Sequence, residues 1–250
     1  MDPKSTAATL RVRLATFVQG LIPPTCYLCL DPGQPPALDL CAGCEADLPW
    51  LGPACGICAM PTRLPVDCCE RCRAAPPVFD AAFAACHYEF PVIELIQRMK
   101  YRGELPLARI LGTVLGRRLA RCEQPLPDVV VPVPLHADRE RQRGYNQARE
   151  IARYAARELG VPVADRLVRR IRATAEQAVL PASSRRANLR GAFAATPAAA
   201  GLRIAVLDDV LTTGATADAL ALALFAAGAR RVEAWAVARA SGAAAAPAQL

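Results

Sequence analysis

Apolar positions fall into short blocks along this chain, and the spacing within the blocks changes character near residue 80. From Phe83 to Tyr88 a brief apolar run predicts a strand. Val92 to Lys100 and Leu105 to Arg121 carry helical spacing, with Pro106 suited to a first turn. Asp128 to Pro134, DVVVPVP, is a β-branched run of the kind buried in a parallel sheet, and a helix is predicted from Asn146 to Leu159, stopped by Gly160. A strand near Val163 to Leu167, a buried strand at Leu202 to Leu207, a helix from Thr216 to Ala227 ended by Gly228, and a last strand at Arg231 to Val237 complete the pattern. Strands alternating with helices in this order predict an α/β domain over residues 80–240, built on a parallel sheet covered on both faces. At the start, residues 1–25 place Leu10, Leu14 and Val18 at near-helical spacing before Pro23-Pro24, which predicts a short amphipathic helix. Residues 241–250 are low in complexity and read as a flexible tail.

Residues 26–75 break this pattern. They are rich in proline, glycine and cysteine, lack hydrophobic periodicity, and hold nine of the eleven cysteines of the chain. A segment without a core of its own needs another source of stability, and the spacing supplies it. Cys26-x2-Cys29 with Cys41-x2-Cys44, and Cys55-x2-Cys58 with Cys69-x2-Cys72, make two four-thiolate sets, each suited to tetrahedral zinc. Cys69 is preferred over Cys68 because it restores the x2 spacing, and spacing alone also admits pairing of the first knuckle with the third. Four thiolates leave no open coordination position, so the zinc is read as structural. The stretch Arg73 to Asp80, RAAPPVFD, is expected to link this double zinc ribbon to the α/β domain.

Composition narrows the class further. An apolar fraction of 53% supports a core over 250 residues, and a net charge of +7 favours acidic partners. The opening segment has no uninterrupted apolar run and carries Arg11 and Arg13, so no secretory leader is expected. No later segment approaches the roughly 20 apolar residues of a membrane span. A cytoplasmic location, where thiols stay reduced, follows as the expectation.

The most specific chemistry lies in Val206 to Thr216, VLDDVLTTGAT. An apolar strand is expected to end at Asp208 and Asp209, after which Thr212, Thr213, Gly214, Ala215 and Thr216 turn into a helix. Successive amides of such a loop can converge on a phosphate, with the helix N-terminus adding its dipole. Threonine hydroxyls add donors, and carboxylates just upstream can accept hydrogen bonds from ribose hydroxyls. An acidic turn with an ordinary helix cap is the competing explanation.

On this motif the chain resembles type I phosphoribosyltransferases, and as a whole it is similar to the ComF family of competence-associated proteins, which includes the GntX-type proteins. The supporting motifs are the cysteine module, KYRG at Lys100 to Gly103, PVPLH at Pro132 to His136, RQRGYNQA at Arg141 to Ala148, and the spaced set Arg172, Thr174, Gln177, Arg185, Asn188 and Gly191 to Phe193. Tyr145 stands where the family commonly has phenylalanine.

The resemblance implies a type I phosphoribosyltransferase fold behind a double zinc ribbon, binding phosphoribosyl pyrophosphate (PRPP) together with Mg2+. Asp208, Asp209 and Arg143 are the implied catalytic residues. Lys100, Arg139, Arg143, Arg172, Arg185, Asp208, Asp209 and the loop Thr212 to Thr216 would hold PRPP, with Arg169 to Asn188 placed like a hood over it. Release of pyrophosphate from C1 of the sugar needs charge stabilisation rather than a protein nucleophile. His87 and His136 show no pattern of a catalytic pair. Transfer or recognition of a phosphoribosyl group is the first functional expectation. The second is a DNA-uptake factor that binds single-stranded DNA, with a ComF-operon helicase as partner and the PRPP pocket used for binding.

Overall fold

A computed structural model describes residues 24–172, 189 and 191–241 of this chain. The chain divides into two compact units between Leu48 and Pro49, so the division falls between the two cysteine sets rather than after the second. In the first unit, Cys41 caps a five-residue helix, α1 (Ala42–Ala46), by accepting a hydrogen bond from the Cys44 amide on its sulfur at 3.3 Å.

The second unit is built on a four-stranded sheet of β1 (Ala81–His87), β2 (Val129–Pro132), β5 (Arg203–Leu211) and β6 (Arg231–Arg239). The spatial order is β1-β6-β5-β2 and every pairing is parallel, which bears out the α/β expectation. Parallel neighbours need crossover connections, and helices supply them: α3 (Val92–Arg102), α4 (Pro106–Leu119), α5 (Ala137–Arg143), α6 (Gln147–Leu159) and α7 (Ala215–Ala226). A short helix α2 (Glu70–Ala74) follows Cys69.

Side chains alternate along β5. Ile204, Val206 and Asp208 point to one face, where the two apolar residues join Leu220 and Leu224 of α7 in a common core. Ala205, Leu207 and Asp209 point to the other face, on which α4 and α6 pack side by side. The outer edge of β1 is covered rather than exposed: the Leu51 amide donates to Ala85 at 2.9 Å and the His87 amide to Pro49 at 2.7 Å.

Three differences from the sequence pattern matter for the site. First, β5 runs four residues beyond the expected Leu207, so the acidic pair lies within the strand and not past its end. Second, the strand expected near Val163 to Leu167 reduces to a single bridge of Val163 to Val130; the strand that forms is β3 (Val168–Arg170), paired antiparallel with β4 (Phe193–Ala195). Backbone pairing with Phe193–Ala195 decides this register, and no local periodicity announces it. Third, Arg73 to Asp80 is not a free connection. The Val78 amide donates to Asp218 at 2.8 Å, and Asp80 exchanges two 2.8 Å hydrogen bonds with Val232. The expected N-terminal helix, the tail, and most of the arginine-rich stretch after Arg172 lie outside the described residues.

Candidate functional site

Asp208 and Asp209 are neighbours with different surroundings. Asp209 is buried, and its carboxylate is held by an ion pair to Lys100 from the last turns of α3 and by the Val210 amide at 2.9 Å. Burial works against the Lys100 ammonium, but Asp209 first and then Asp208 more than offset it, so the lysine pKa is raised and the side chain stays charged. Asp208 is half-buried on the opposite face of the strand and accepts a hydrogen bond from the Asp209 amide at 2.9 Å. Loss of hydration, followed by the like charge of Asp209, pushes its pKa up to about 7. Tyr88, at the end of β1, stands within electrostatic reach of both Lys100 and Asp209, and burial raises its phenol.

Beyond the pair, the chain turns at Gly214, whose φ of 84° lies in the left-handed region that favours glycine. The Thr213 hydroxyl accepts from the Ala215 amide at 3.3 Å and starts α7. A cavity of about 20 Å³ opens behind the turn, lined among others by Asp208, Thr212, Gly214 and Thr216. It has room for one water-sized group.

The expected arginines divide. Arg143 donates to Gln147 at 2.7 Å and lies 6.0 Å from the Tyr101 ring, while the Tyr145 hydroxyl donates to the Met99 carbonyl. The RQRGYNQA and KYRG motifs are thereby packed together beside Lys100. Asn146, 2% exposed, fixes this junction: its side chain accepts from the Ala148 and Arg149 amides and donates to the Val133 carbonyl at 3.0 Å. Arg141 pairs with Asp138 on the surface, and His136 caps α5. Arg139 and Asp208 both act on Arg170, whose guanidinium lies 5.7 Å from the Phe193 ring. Arg172 is exposed, and Arg185 lies outside the described residues.

Sequence reasoning misses Arg239 and places Arg170 only within the hood stretch Arg169 to Asn188. Arg170 sits on β3, which is not expected as a strand. Arg239, the last residue of β6, is 1% exposed and donates to Leu211 and Thr212 of the loop. A strand-terminal arginine carries no local sign of burial, since only tertiary packing covers it.

The eight expected cysteines gather as two sets, Cys26, Cys29, Cys41, Cys44 and Cys55, Cys58, Cys69, Cys72, with the sulfurs of each set within 4.8 Å of one another. Knuckles therefore pair in chain order, and Cys68 stays outside. A zinc–sulfur bond of about 2.3 Å implies tetrahedral sulfur–sulfur edges of roughly 3.8 Å. Cys29 to Cys41 measures 3.7 Å and Cys58 to Cys69 measures 3.8 Å, so both sets fit a closed structural zinc site. Burial opposes a thiolate at Cys26, yet the backbone at Cys41, Cys29 and Leu28 brings its pKa down to about 6; the backbone at Cys58, Cys69 and Ile57 likewise brings Cys55 to about 7 against burial. Among the described residues, no helix is long and apolar enough to cross a membrane.

No family model matches the chain. It is 33% identical over 208 residues to Competence protein F of Haemophilus influenzae, covering 80% of this chain and 90% of that protein. It is 31% identical over 222 residues to the DNA utilization protein YhgH of Salmonella typhi, with 87% and 98% covered, and 26% identical over 184 residues to Competence protein ComFC of Bacillus subtilis, with 71% and 74% covered. Among solved structures, the glutamine phosphoribosylpyrophosphate amidotransferase from B. subtilis is similar at 21% identity with a TM-score of 0.33, over 51% of this chain and 25% of that one, a likeness too slight to argue from. Identity above 30% along nearly the whole length of the first two relatives shows that the chain belongs to the ComF family of competence-associated proteins.

Proposed function

We propose that the second unit binds PRPP at the acidic pair and the Thr212 to Thr216 loop, and that it transfers the phosphoribosyl group with release of pyrophosphate. The observation that carries this reading is the unequal acid pair. Lys100 holds Asp209 in place, which leaves Asp208 half-buried beside the loop cavity as the acceptor for the ribose hydroxyls. Loop amides and the α7 N-terminus take the 5′-phosphate. Arg139, Arg143 and Arg172 supply positive charge toward the pyrophosphate, with Arg185 of the hood segment as a further donor. In the reaction, the C1–oxygen bond breaks and its electron pair leaves with pyrophosphate. A lone pair of the acceptor forms the new bond to C1, and the acceptor's proton passes to water. Mg2+ carried in with PRPP would neutralise charge on the leaving group.

Calorimetric titration with PRPP and Mg2+ tests the binding claim, with Asp208→Asn as the control. Pyrophosphate release is then measured against nucleobases, amines and single-stranded DNA. Binding that is equal in the wild type and the Asp208→Asn variant would overturn the site assignment. Binding without release for any acceptor would reduce the pocket to a sensor or anchor.

A second reading is a factor that binds single-stranded DNA during uptake, with a ComF-operon helicase as partner; the names of two relatives, Competence protein F and DNA utilization protein YhgH, support only its link to competence and DNA. If Asp208→Ala with Asp209→Ala abolishes PRPP binding and leaves DNA binding and transformation intact, the pocket and the uptake role are separate.

A further inference from the structure

The second cysteine set stands directly behind the loop to which the PRPP reading assigns the 5′-phosphate. Buried Arg239 links the two. Its Nε donates to the Cys58 carbonyl at 3.0 Å, while the two N–H groups of Nη1 are shared among the carbonyls of Leu211 at 2.7 Å, Thr212, and Ala240 at 2.7 Å. A second link comes from α2, which is capped by the ligand cysteine Cys69 and contains Cys72: Arg71 donates from Nη2 to the Thr213 carbonyl at 3.2 Å. The carbonyls of Leu211, Thr212 and Thr213 are thus all held by arginines. In a trans peptide the carbonyl and the following N–H point in opposite directions. Drawing these three carbonyls back therefore presents the amides of Thr212, Thr213 and Gly214 on the far side, as an anion-binding loop requires.

We infer that Arg239 and Arg71 are positioning residues through which metal binding at Cys55, Cys58, Cys69 and Cys72 sets the shape of the phosphate loop, so that PRPP affinity depends on zinc in that set. The inference rests on the PRPP reading for its ligand, but the mechanical link does not. Zinc fixes the knuckle that carries Cys58 and the helix that carries Arg71. Without it, Arg239 loses its Cys58 acceptor and Arg71 loses the frame that aims it at Thr213. The zinc acts here as a structural clamp, and no chemistry passes through it.

Hydrogen exchange of the peptide spanning residues 208–216 reads the loop directly in the full chain, alongside zinc content and PRPP titration. Arg239→Lys keeps a buried cation but not the forked geometry. With zinc retained, it is expected to speed loop exchange and weaken PRPP binding by roughly tenfold. Arg71→Ala, at an exposed position, is expected to give a smaller change of about two- to fivefold in the same direction. Stripping zinc with a chelator should match or exceed the Arg239→Lys effect, and restoring zinc should reverse it. The proposal is overturned if both variants keep wild-type loop exchange, or if the stripped protein keeps loop protection. Should the wild type fail to bind PRPP while loop exchange still follows Arg239 and zinc, the PRPP reading fails and the coupling stands.

Discussion

Lys100 and Asp209 form an ion pair across the interface of α3 and β5, with side chains 20% and 5% exposed. The pair explains how two adjacent acids can be tolerated inside a buried strand. Asp209 is neutralised locally, while Asp208 is half-exposed on the other face, with Lys100 and Arg170 within electrostatic reach. A buried ion pair of this kind contributes little compared with an apolar replacement, but breaking it from one side is costly.

Lys100→Met is accordingly expected to destabilise the protein by about 2–4 kcal/mol, because Asp209 is left charged beside Asp208. Adding Asp209→Asn should recover much of the loss. Urea unfolding of the two single variants and the double variant measures the coupling, and strictly additive effects would show that the pair does not interact.

Asp208 makes both stability and binding depend on pH. Its pKa rises from 3.8 to about 7 through burial and the charge of Asp209. Between those values the folded state binds a proton that the unfolded state lacks, so stability falls as pH rises through this window. On the proposed reading, in which ribose hydroxyls donate to the charged carboxylate, PRPP binding has the opposite sign, and affinity should climb between pH 6 and 8. Asp208→Asn is expected to raise the Tm at pH 8, to flatten the stability profile, and to lose the ligand. Thermal scans and titrations at matched pH values check both signs.

Much of this site is legible in the chain. The acid pair, the glycine turn and the cysteine spacing are local patterns; the cysteines gather in their two sets and Gly214 makes its turn, while the acid pair falls inside β5 rather than at its end. Lys100 and the Arg143 to Asn146 segment are visible as motifs, yet their meeting depends on the turn before α6 reaching α3, through Tyr145 to Met99 and Arg143 to Tyr101. Arg239 is invisible for a plainer reason: an arginine at a strand end looks solvent-exposed until another segment covers it. The extent of β5 is hidden as well, because two carboxylates resemble a stop, whereas the strand continues through them to Leu211 with Asp209 paired to Lys100.

Asn146 is a sharper structural test than its small size suggests. Its side chain caps α6 and also holds the Val133 carbonyl, so it ties the turn after β2 to the helix that follows. Asn146→Ala should cost about 1–2 kcal/mol through the lost cap and an unpartnered buried carbonyl. Asn146→Asp keeps the cap but not the donor, and a smaller loss there than for alanine would separate the two roles. Chemical denaturation of both variants provides the comparison.

The placement of α6, and with it Asn146, depends on two glycines of α4. A Cβ on Gly112 would lie 2.5 Å from the Ile151 carbonyl oxygen and 2.7 Å from the Tyr154 Cβ; one on Gly116 would lie 2.7 Å from the Glu158 Cβ and 2.8 Å from the Ala155 carbonyl oxygen. Alanine would favour an isolated helix by about 1 kcal/mol at either position. Here the clash is with backbone and Cβ atoms that cannot rotate away, so α4 and α6 must separate. Overpacking of this kind costs about 1–3 kcal/mol net. Gly112→Ala and Gly116→Ala are therefore expected to lower the Tm, and the displacement of α6 should weaken PRPP binding as well. A raised Tm in either variant would mean that helix propensity outweighs the contact, and that the two helices are not held as closely as Gly112 and Gly116 allow.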